Sequence, residues 1–463
     1  MRHFQHVILG TGQATGTLLG DLLPTGDSIA VIEGDRIGGT CVNTGCTPTK
    51  ALVASAKVAH MARRAAEYGV VTNGVEIDYA AVRARMNQIR DNSGMVSWIS
   101  SAESVSLFRA WGRFEGPRQI NVGTESITAD RIYINAGTRP RAPEISGLDE
   151  VPWLDNSRIL ELTEVPEHLI ILGGSYIALE FGQIFRRFGA RVTIIERGSQ
   201  LVFREDADVA AAITEILELE GIEVMLDTSA VGVAPGGGGS GSGDPDGDGV
   251  TVTIAQGGEQ RRVTGSHLFV AVGRVPNSDG LDVDAAGIDL DGRGFIKVDD
   301  YCRTSVDGVF AVGDINGHGA FTHTSVNDAE IVLDQMRGGT RKLSDRFPVY
   351  ALFIDPALGR VGMTEREAIA KGHNVLKATR PMSLIGRAKE MGETLGFAKL
   401  LVDGDTDLIL GAAILGPGGD EIVNMLAAFM YSGQPCRRYR RSVLVHPTIS
   451  ELMPWILDAL KPI

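Results

Sequence analysis

The 463-residue chain carries 43% hydrophobic and 22% charged residues, enough for a sizeable globular core and about three domains. A formal net charge of −14 disfavours nucleic acid or an anionic membrane surface as its main partner. No apolar run approaches the ~18 residues of a membrane span, and four cysteines with no export signal after Met1 point to a reducing cytoplasm.

Residues 6–16, His-Val-Ile-Leu-Gly-Thr-Gly-Gln-Ala-Thr-Gly, predict a strand that breaks into a glycine turn. A second apolar run at 28–32 ends in Glu33, 21 residues after Gly12. This is the pattern of a βαβ dinucleotide unit. Gly10 and Gly12, followed by Gln13 and Ala14, let the backbone approach a pyrophosphate at a helix N-terminus, and Glu33 holds a ribose hydroxyl. Thr15 stands in the third glycine position, with Gly16 after it.

Residues 38–50 read Gly-Gly-Thr-Cys-Val-Asn-Thr-Gly-Cys-Thr-Pro-Thr-Lys. Cys41 and Cys46 are close enough to form a small-loop disulfide, easily reduced and re-formed, which suits electron transfer better than stabilisation. Zinc wants a tighter pair plus a second pair, and the isolated Cys302 and Cys436 do not supply one, so no metal site is expected. Alone, the motif would read as two incidental buried thiols.

The βαβ pattern repeats. Residues 169–178, Leu-Ile-Ile-Leu-Gly-Gly-Ser-Tyr-Ile-Ala, lead into a helix running to Phe188-Gly189, and a strand at 191–195 ends at Glu196. Gly173 is the tight-turn glycine, Ser175 replaces the second glycine and Ala178 fills the small third position. Two such units imply two dinucleotides. Segments 134–140 and 270–276 resemble each other and read as paired exits between the nucleotide units, and 308–314 is a strand ending in Gly313-Asp314.

The Gly/Ser/Asp-rich stretch 235–249 reads as a mobile hairpin loop. Asp244, Asp246, Asp248 and Gly249 imitate the start of a calcium loop, but Ala255 stands where its bidentate Glu belongs. From Phe347 onward, strand-rich segments and an apolar helix at 421–430 form an α+β interface domain with no nucleotide fingerprint. The predicted class is α/β: two Rossmann-like dinucleotide domains and a C-terminal α+β domain.

Together, the two fingerprints, the cysteine pair and His446-Pro447-Thr448-Ile449-Ser450-Glu451 resemble the class I pyridine nucleotide-disulfide oxidoreductases. That family includes dihydrolipoamide dehydrogenase, glutathione reductase and mercuric reductase. The likeness spans essentially the whole chain. It implies an FAD domain at 1–150 and 270–343, an inserted NAD(P) domain at 151–269 and a dimerisation domain at 344–463. It places FAD against Gly10, Gly12, Gln13, Ala14, Glu33, Gly39, Thr40, Lys50, Gly137, Gly313 and Asp314, the last meeting the ribityl chain. The nicotinamide coenzyme falls to Gly173, Gly174, Ser175, Tyr176, Ile177, Glu196, Arg197 and Gly273, with Tyr176 as a ring that covers the nicotinamide pocket and moves aside.

The resemblance also implies a mechanism. Reduced nicotinamide gives hydride to the flavin, which passes the electron pair to Cys41–Cys46. Cys46 becomes the thiolate in charge-transfer contact with the flavin, and Cys41 is the interchange thiol that meets substrate. Lys50, one helical turn after Cys46, approaches the reduced flavin and pairs with Glu180. His446, oriented by Glu451 and supplied by the partner subunit of an obligatory homodimer, is the acid/base.

Segments 203–206 and 220–224 look like mercuric reductase, but the chain finishes Leu-Lys-Pro-Ile without a cysteine pair, and His446 stands where the mercury enzymes use tyrosine. A disulfide or related oxidised-sulfur substrate is therefore expected, with mercuric reductase and dihydrolipoamide dehydrogenase as alternatives. Glu196 favours NADH, while the neighbouring Arg197 keeps NADPH open. A non-catalytic redox sensor would lack a catalytic residue, and none of the set is missing here.

Overall fold

The computed structural model describes residues 1–92, 94–236 and 249–463, which group into two compact units. In the first unit (Met1–Ala51, Arg83–Arg141 and Gly273–Arg346), strands Val105–Phe108, Ile29–Ile32, Arg2–Leu9 and Glu125–Ile134 run parallel in that order. Every residue of Ile29–Ile32 is buried, as a strand covered on both faces requires. Helix Ala14–Leu22 carries the chain between the two central parallel strands and buries Leu18, Leu19 and Leu22. Val309–Ala311 pairs in parallel with Ile132–Ile134, and Gly112–Gly116 and Gln119–Val122 add an antiparallel edge. The two exit segments predicted from their likeness are one ribbon, Thr138–Pro140 antiparallel to Arg274–Pro276.

The second unit comprises Leu52–Val82, Ala142–Val272 and Phe347–Ile463. Its parallel sheet has the order Glu223–Met225, Arg191–Ile195, His168–Leu172, His267–Val270. Beside it, Ser229–Pro235, Val250–Gln256 and Glu259–Gly265 form an antiparallel ribbon, so the strands expected on either side of the Gly/Ser/Asp-rich stretch do pair. Asp244, Asp246 and Asp248 of the calcium-like sequence lie outside the described residues. Helix Tyr176–Phe188 buries Phe181, Phe185 and Phe188 against Phe269 and Tyr79. It ends at Gly189 (φ +116°), whose N–H donates to the carbonyls of Phe185 and Arg186.

The same unit holds a six-stranded antiparallel sheet: Val349–Leu352, Leu358–Gly362, Ile409–Leu415, Phe397–Asp403, Val375–Pro381 and Lys461–Pro462. Helix Gly419–Tyr431 packs Val423, Leu426 and Met430 into its core. Among the described residues, no helix is long and apolar enough to cross a membrane.

Buried charge ties this unit together. Arg187 bonds Glu220 at 2.7 Å and Asp355 at 2.8 Å, joining the helix of the second nucleotide turn to the loop after Val349–Leu352. Lys399 is wholly buried, with Asp206, Asp208 and Glu365 each 2.7 Å from its Nζ. Burial by itself would lower the Lys399 pKa; the hydrogen bonds to the three carboxylates outweigh it and hold the ammonium above its usual range. Those carboxylates are the one metal-like grouping among the described residues, and the ammonium of Lys399 is the cation they hold. Lys399→Met removes the cation shared by the three carboxylates, leaving Asp206 only Arg360 and Glu365 only Lys377. It lowers unfolding free energy by about 3–5 kcal/mol, measured as a fall in the urea midpoint of this unit.

Candidate active site

Both glycine turns are built in the same way. Gly10 (φ +100°) sits against the carbonyl of Asn135, and Gly173 (φ +108°) against that of Ala271, where a Cβ would come within 2.6 Å. Gly10 N–H bonds Ile32 O at 2.8 Å, and Gly173 N–H bonds Ile195 O at 2.9 Å. The acid at the end of the following strand folds back on the turn: Glu33 accepts from Thr11 N at 2.9 Å, and Glu196 from Gly174 N at 2.6 Å. Each turn thus presents backbone N–H groups at the start of a helix, the arrangement that receives a pyrophosphate.

Thr15 explains the imperfect first fingerprint. It is fully buried, and its hydroxyl donates to Gly10 O at 3.0 Å and accepts from Asn135 Nδ2 at 3.0 Å. The hydroxyl does by hydrogen bonding what a third glycine does by close approach. Gly16 faces open space and plays no part in the turn. In the second turn Ser175 is the N-cap, with no side-chain cap bond, and Ala178 is fully buried.

The cysteine segment packs on the first turn. Gly39 (φ +62°) is so near that an added Cβ would lie 2.8 Å from Gly12 Cα, and Gly38 N–H donates to Thr11 Oγ1 at 3.0 Å. Cys41 lies in the short helix Gly39–Asn43, while Cys46 starts the helix Cys46–Arg63. Cys41 is half-buried and Cys46 exposed. They share a hydrogen bond, which together with burial and the Cys46 charge pushes the Cys41 thiol far above its usual range; Thr322 and Lys50 oppose this more weakly. Thr322 Oγ1 lies 3.5 Å from Cys46 Sγ. Cys46 stands at the N-terminus of the longer helix, where the helix dipole favours a thiolate.

Asp314 follows the parallel strand Val309–Ala311 and accepts from Thr138 Oγ1 at 3.0 Å. Burial pushes its carboxyl up, against Arg274 and Thr138. Gly137 (φ +64°) and Gly273 (φ +117°) flank the exit ribbon. In the second unit, Glu180 is buried and accepts from Phe353 N at 3.0 Å, so it is no solvated helix carboxylate. Ile177 and Arg197 are exposed. His446 is 81% exposed, and its Nδ1 sits 2.9 Å from Glu451 Oε1, itself fixed by Thr448 N–H. A carboxylate on Nδ1 assigns that nitrogen the proton and leaves Nε2 for chemistry.

Residues 4–329 match the family described as pyridine nucleotide-disulphide oxidoreductase, and residues 349–457 match its dimerisation domain. The chain belongs to this family. Among its relatives is a probable pyridine nucleotide-disulfide oxidoreductase RclA of Escherichia coli, 33% identical over the full length of both chains. A dihydrolipoyl dehydrogenase of Thermus scotoductus is 32% identical over 99% of this chain and 98% of that one. A mercuric reductase of Bacillus cereus is 28% identical over 97% of this chain and 70% of its own. The solved structure of the HOCl-induced flavoprotein disulfide reductase RclA of E. coli superposes with a TM-score of 0.86 at 31% identity, covering 98% of this chain and 99% of that one. As a pyridine nucleotide-disulphide oxidoreductase, the chain is a flavoprotein disulfide oxidoreductase that uses FAD and a pyridine nucleotide. The paired turns fit that pair of dinucleotides: both leave room for backbone approach only because glycine stands at 10 and 173.

The sequence alone did not expose Asn135, Thr322 or Asp328. Asp328 is buried and accepts from Gly313 N at 2.8 Å, Asn316 Nδ2 at 2.8 Å and Arg346 Nη1 at 2.6 Å, so it fixes the turn that carries Asp314. An acid inside helix Thr322–Met336 carries no local signal for that task. Asp328→Ala unties the Gly313 turn and leaves Arg346 without its buried partner. It costs about 2–4 kcal/mol and speeds FAD loss, measured by flavin absorbance retained after gel filtration.

Proposed function

We propose that the chain reduces a small disulfide or related oxidised-sulfur compound with NADH, through FAD and the Cys41–Cys46 pair. The observation that carries this reading is the packing of the dithiol segment directly on the first nucleotide turn, with Gly39 against Gly12. FAD, when bound, accepts hydride from the nicotinamide and hands an electron pair to the cysteine disulfide. The chain's residues perform the rest. The Cys41 thiol gives its proton to His446 of the partner subunit and attacks one substrate sulfur. The second substrate sulfur leaves as a thiol, taking that proton. The Cys46 thiolate then displaces the first substrate sulfur from Cys41 as a thiolate, which takes the remaining proton from solution, and Cys41–Cys46 re-forms. The balance is NADH + H⁺ + RSSR′ → NAD⁺ + RSH + R′SH.

Thr322 beside the sulfurs, Glu451 behind His446, and Lys50 and Glu180 as the charged residues proposed to face the reduced flavin complete the proposed machinery. The organisation we infer is a homodimer in the cytoplasm, with 1–150 and 270–343 holding FAD, 151–269 the coenzyme and 344–463 the dimer surface. Cys302 and Cys436 are both buried, so among the described residues no further thiol is available to relay a soft metal ion, which favours a sulfur substrate. A metal-ion acceptor is the second reading, favoured by the relative solved as a Cu(II) complex.

Anaerobic titration of the FAD-loaded protein with NADH tests the scheme. A long-wavelength charge-transfer band grows to the two-electron stage, and turnover on lipoamide, glutathione disulfide, Cu(II) and Hg(II) ranks the acceptors. Cys41→Ser shows the band without reductant, Cys46→Ser never shows it, and neither turns over a disulfide. Equal spectra in the two variants would refute the assignment of Cys46 as the flavin-side thiolate. Glu196→Ala removes a ribose acceptor and a charge that repels a 2′-phosphate. The ratio of kcat/KM for NADPH over NADH then rises roughly tenfold; an unchanged ratio removes Glu196 from coenzyme choice.

A further inference from the structure

Trp111 leaves 71% of its surface exposed. A single exposed apolar side chain is ordinary, but this one is held down on one side. A Cβ added at Gly34 would fall on the indole, 2.6 Å from Cε2, 2.7 Å from Cε3 and nearer still to Cδ2. Those three atoms surround the ring fusion, so the indole covers Gly34 with its face rather than its edge. Gly34 lies outside the left-handed backbone region that usually calls for glycine. The missing side chain at 34 is therefore room for the ring at 111.

The first nucleotide turn sets where this pair stands. Gly34 directly follows Glu33, whose Oε2 accepts from Thr11 N–H at 2.9 Å and from Thr11 Oγ1 at 2.6 Å. Glu33 Oε1 accepts from Asp35 N–H at 2.9 Å, so one carboxylate ties the turn to the loop under the indole. Glu33 N–H donates to the carbonyl of Phe108, which ends the neighbouring parallel strand, at 2.9 Å. After the ring, Gly112 drops the chain back onto the sheet: a Cβ there would lie 2.6 Å from Leu9 Cδ1 and 3.2 Å from Ile32 Cγ2. Trp111 thus stands at the carboxyl ends of the parallel strands, the edge at which such sheets receive ligands. The strand-end acid of a dinucleotide turn takes the ribose of the adenosine half. The base is one glycosidic bond farther on, and the residue after that acid is the glycine under the indole.

We propose that Trp111, laid flat on Gly34, is a stacking platform for the adenine of FAD, and that this glycine–indole pair sets how long the chain holds its flavin. The proposal rests on the assignment of FAD to the first turn. One indole face is occupied by Gly34 and the other is open, so the ring is already ordered before a base reaches it and little side-chain freedom is lost on contact. Stacking uses the face of the base and leaves its polar edge to other groups.

Release of FAD from the loaded full-length protein, followed as the rise in flavin fluorescence after dilution, tests the platform. Trp111→Ala releases FAD roughly tenfold faster than the wild type. Trp111→Phe keeps a flat aromatic face and stays within about threefold of the wild type, whereas Trp111→Leu, apolar but not flat, follows Trp111→Ala. Gly34→Ala lifts the ring and also speeds release, and the Gly34→Ala/Trp111→Ala double variant is no faster than the quicker single variant. Hydroxyl-radical footprinting gives a second readout: Trp111 is protected while FAD is bound and oxidised once it has been stripped. Wild-type release from Trp111→Ala, equal retention by the Leu and Phe variants, or equal oxidation of Trp111 in both states overturns the platform. The Trp111 series decides the matter even if Gly34→Ala does not fold. Wild-type protein that retains no FAD, or a Glu33→Ala variant that releases it as slowly as the wild type, refutes the assignment of FAD to the first turn. Faster release from Glu33→Ala without a Trp111 effect refutes the platform alone.

Discussion

The contact on which the nucleotide-binding architecture depends is a backbone one: a turn glycine pressed against a carbonyl at the end of the next parallel strand. Gly10 meets Asn135, and Gly173 meets Ala271. The approach is possible only without a Cβ and with φ near +100°, so it selects glycine twice. It also fixes where the following helix starts and which N–H groups point outward. The strand-end acid, Glu33 or Glu196, is then brought back onto the turn by a hydrogen bond to its second residue. The cysteine segment inherits its place from the first turn, because Gly39 packs against Gly12 and Gly38 donates to Thr11.

In the second unit, charge rather than apolar contact does much of the joining. Arg187, Arg360 and Lys399 are nearly or wholly buried, and each faces carboxylates from elsewhere in the sequence. Isolated buried ions are costly, whereas ions with satisfied partners specify one arrangement and penalise its neighbours. One cluster, Arg187 with Glu220 and Asp355, joins the helix after the second glycine turn to the loop after Val349–Leu352; a second, Lys399 and Arg360 with Asp206, Asp208 and Glu365, joins the segment 205–208 to the antiparallel sheet. Tyr176 and Tyr350 hang from its edge through Glu205, so a ring beside the coenzyme turn is wired to strands far away in sequence.

The thiol pair shows how an environment divides labour between two identical side chains. Cys46 begins a long helix while Cys41 lies in a short one, and the hydrogen bond between them, with burial, pushes the Cys41 thiol up. The asymmetry needs no unusual residue; it follows from where the second helix starts.

The strands, glycine turns, paired exits, the Cys41–Cys46 segment and the C-terminal His446–Glu451 pair were legible in the sequence, because each is a local pattern: period, punctuation, or spacing within one turn. The hydrogen bond of His446 to Glu451 spans five positions and could be read directly. Thr15 looked like a defect, since a fingerprint cannot show that its hydroxyl is tied to Gly10 and Asn135. Asp328, Thr322 and Glu205 were invisible, each being an ordinary residue whose partners lie at least 12 positions away or on another element. The sequence by itself determined the family, the two dinucleotide turns and the redox pair, because those depend on backbone geometry that only certain residues adopt. The tertiary structure decided how deeply each thiol is buried, which carboxylates are paired, and what holds Tyr176, because burial and distant charge are properties of the assembled chain.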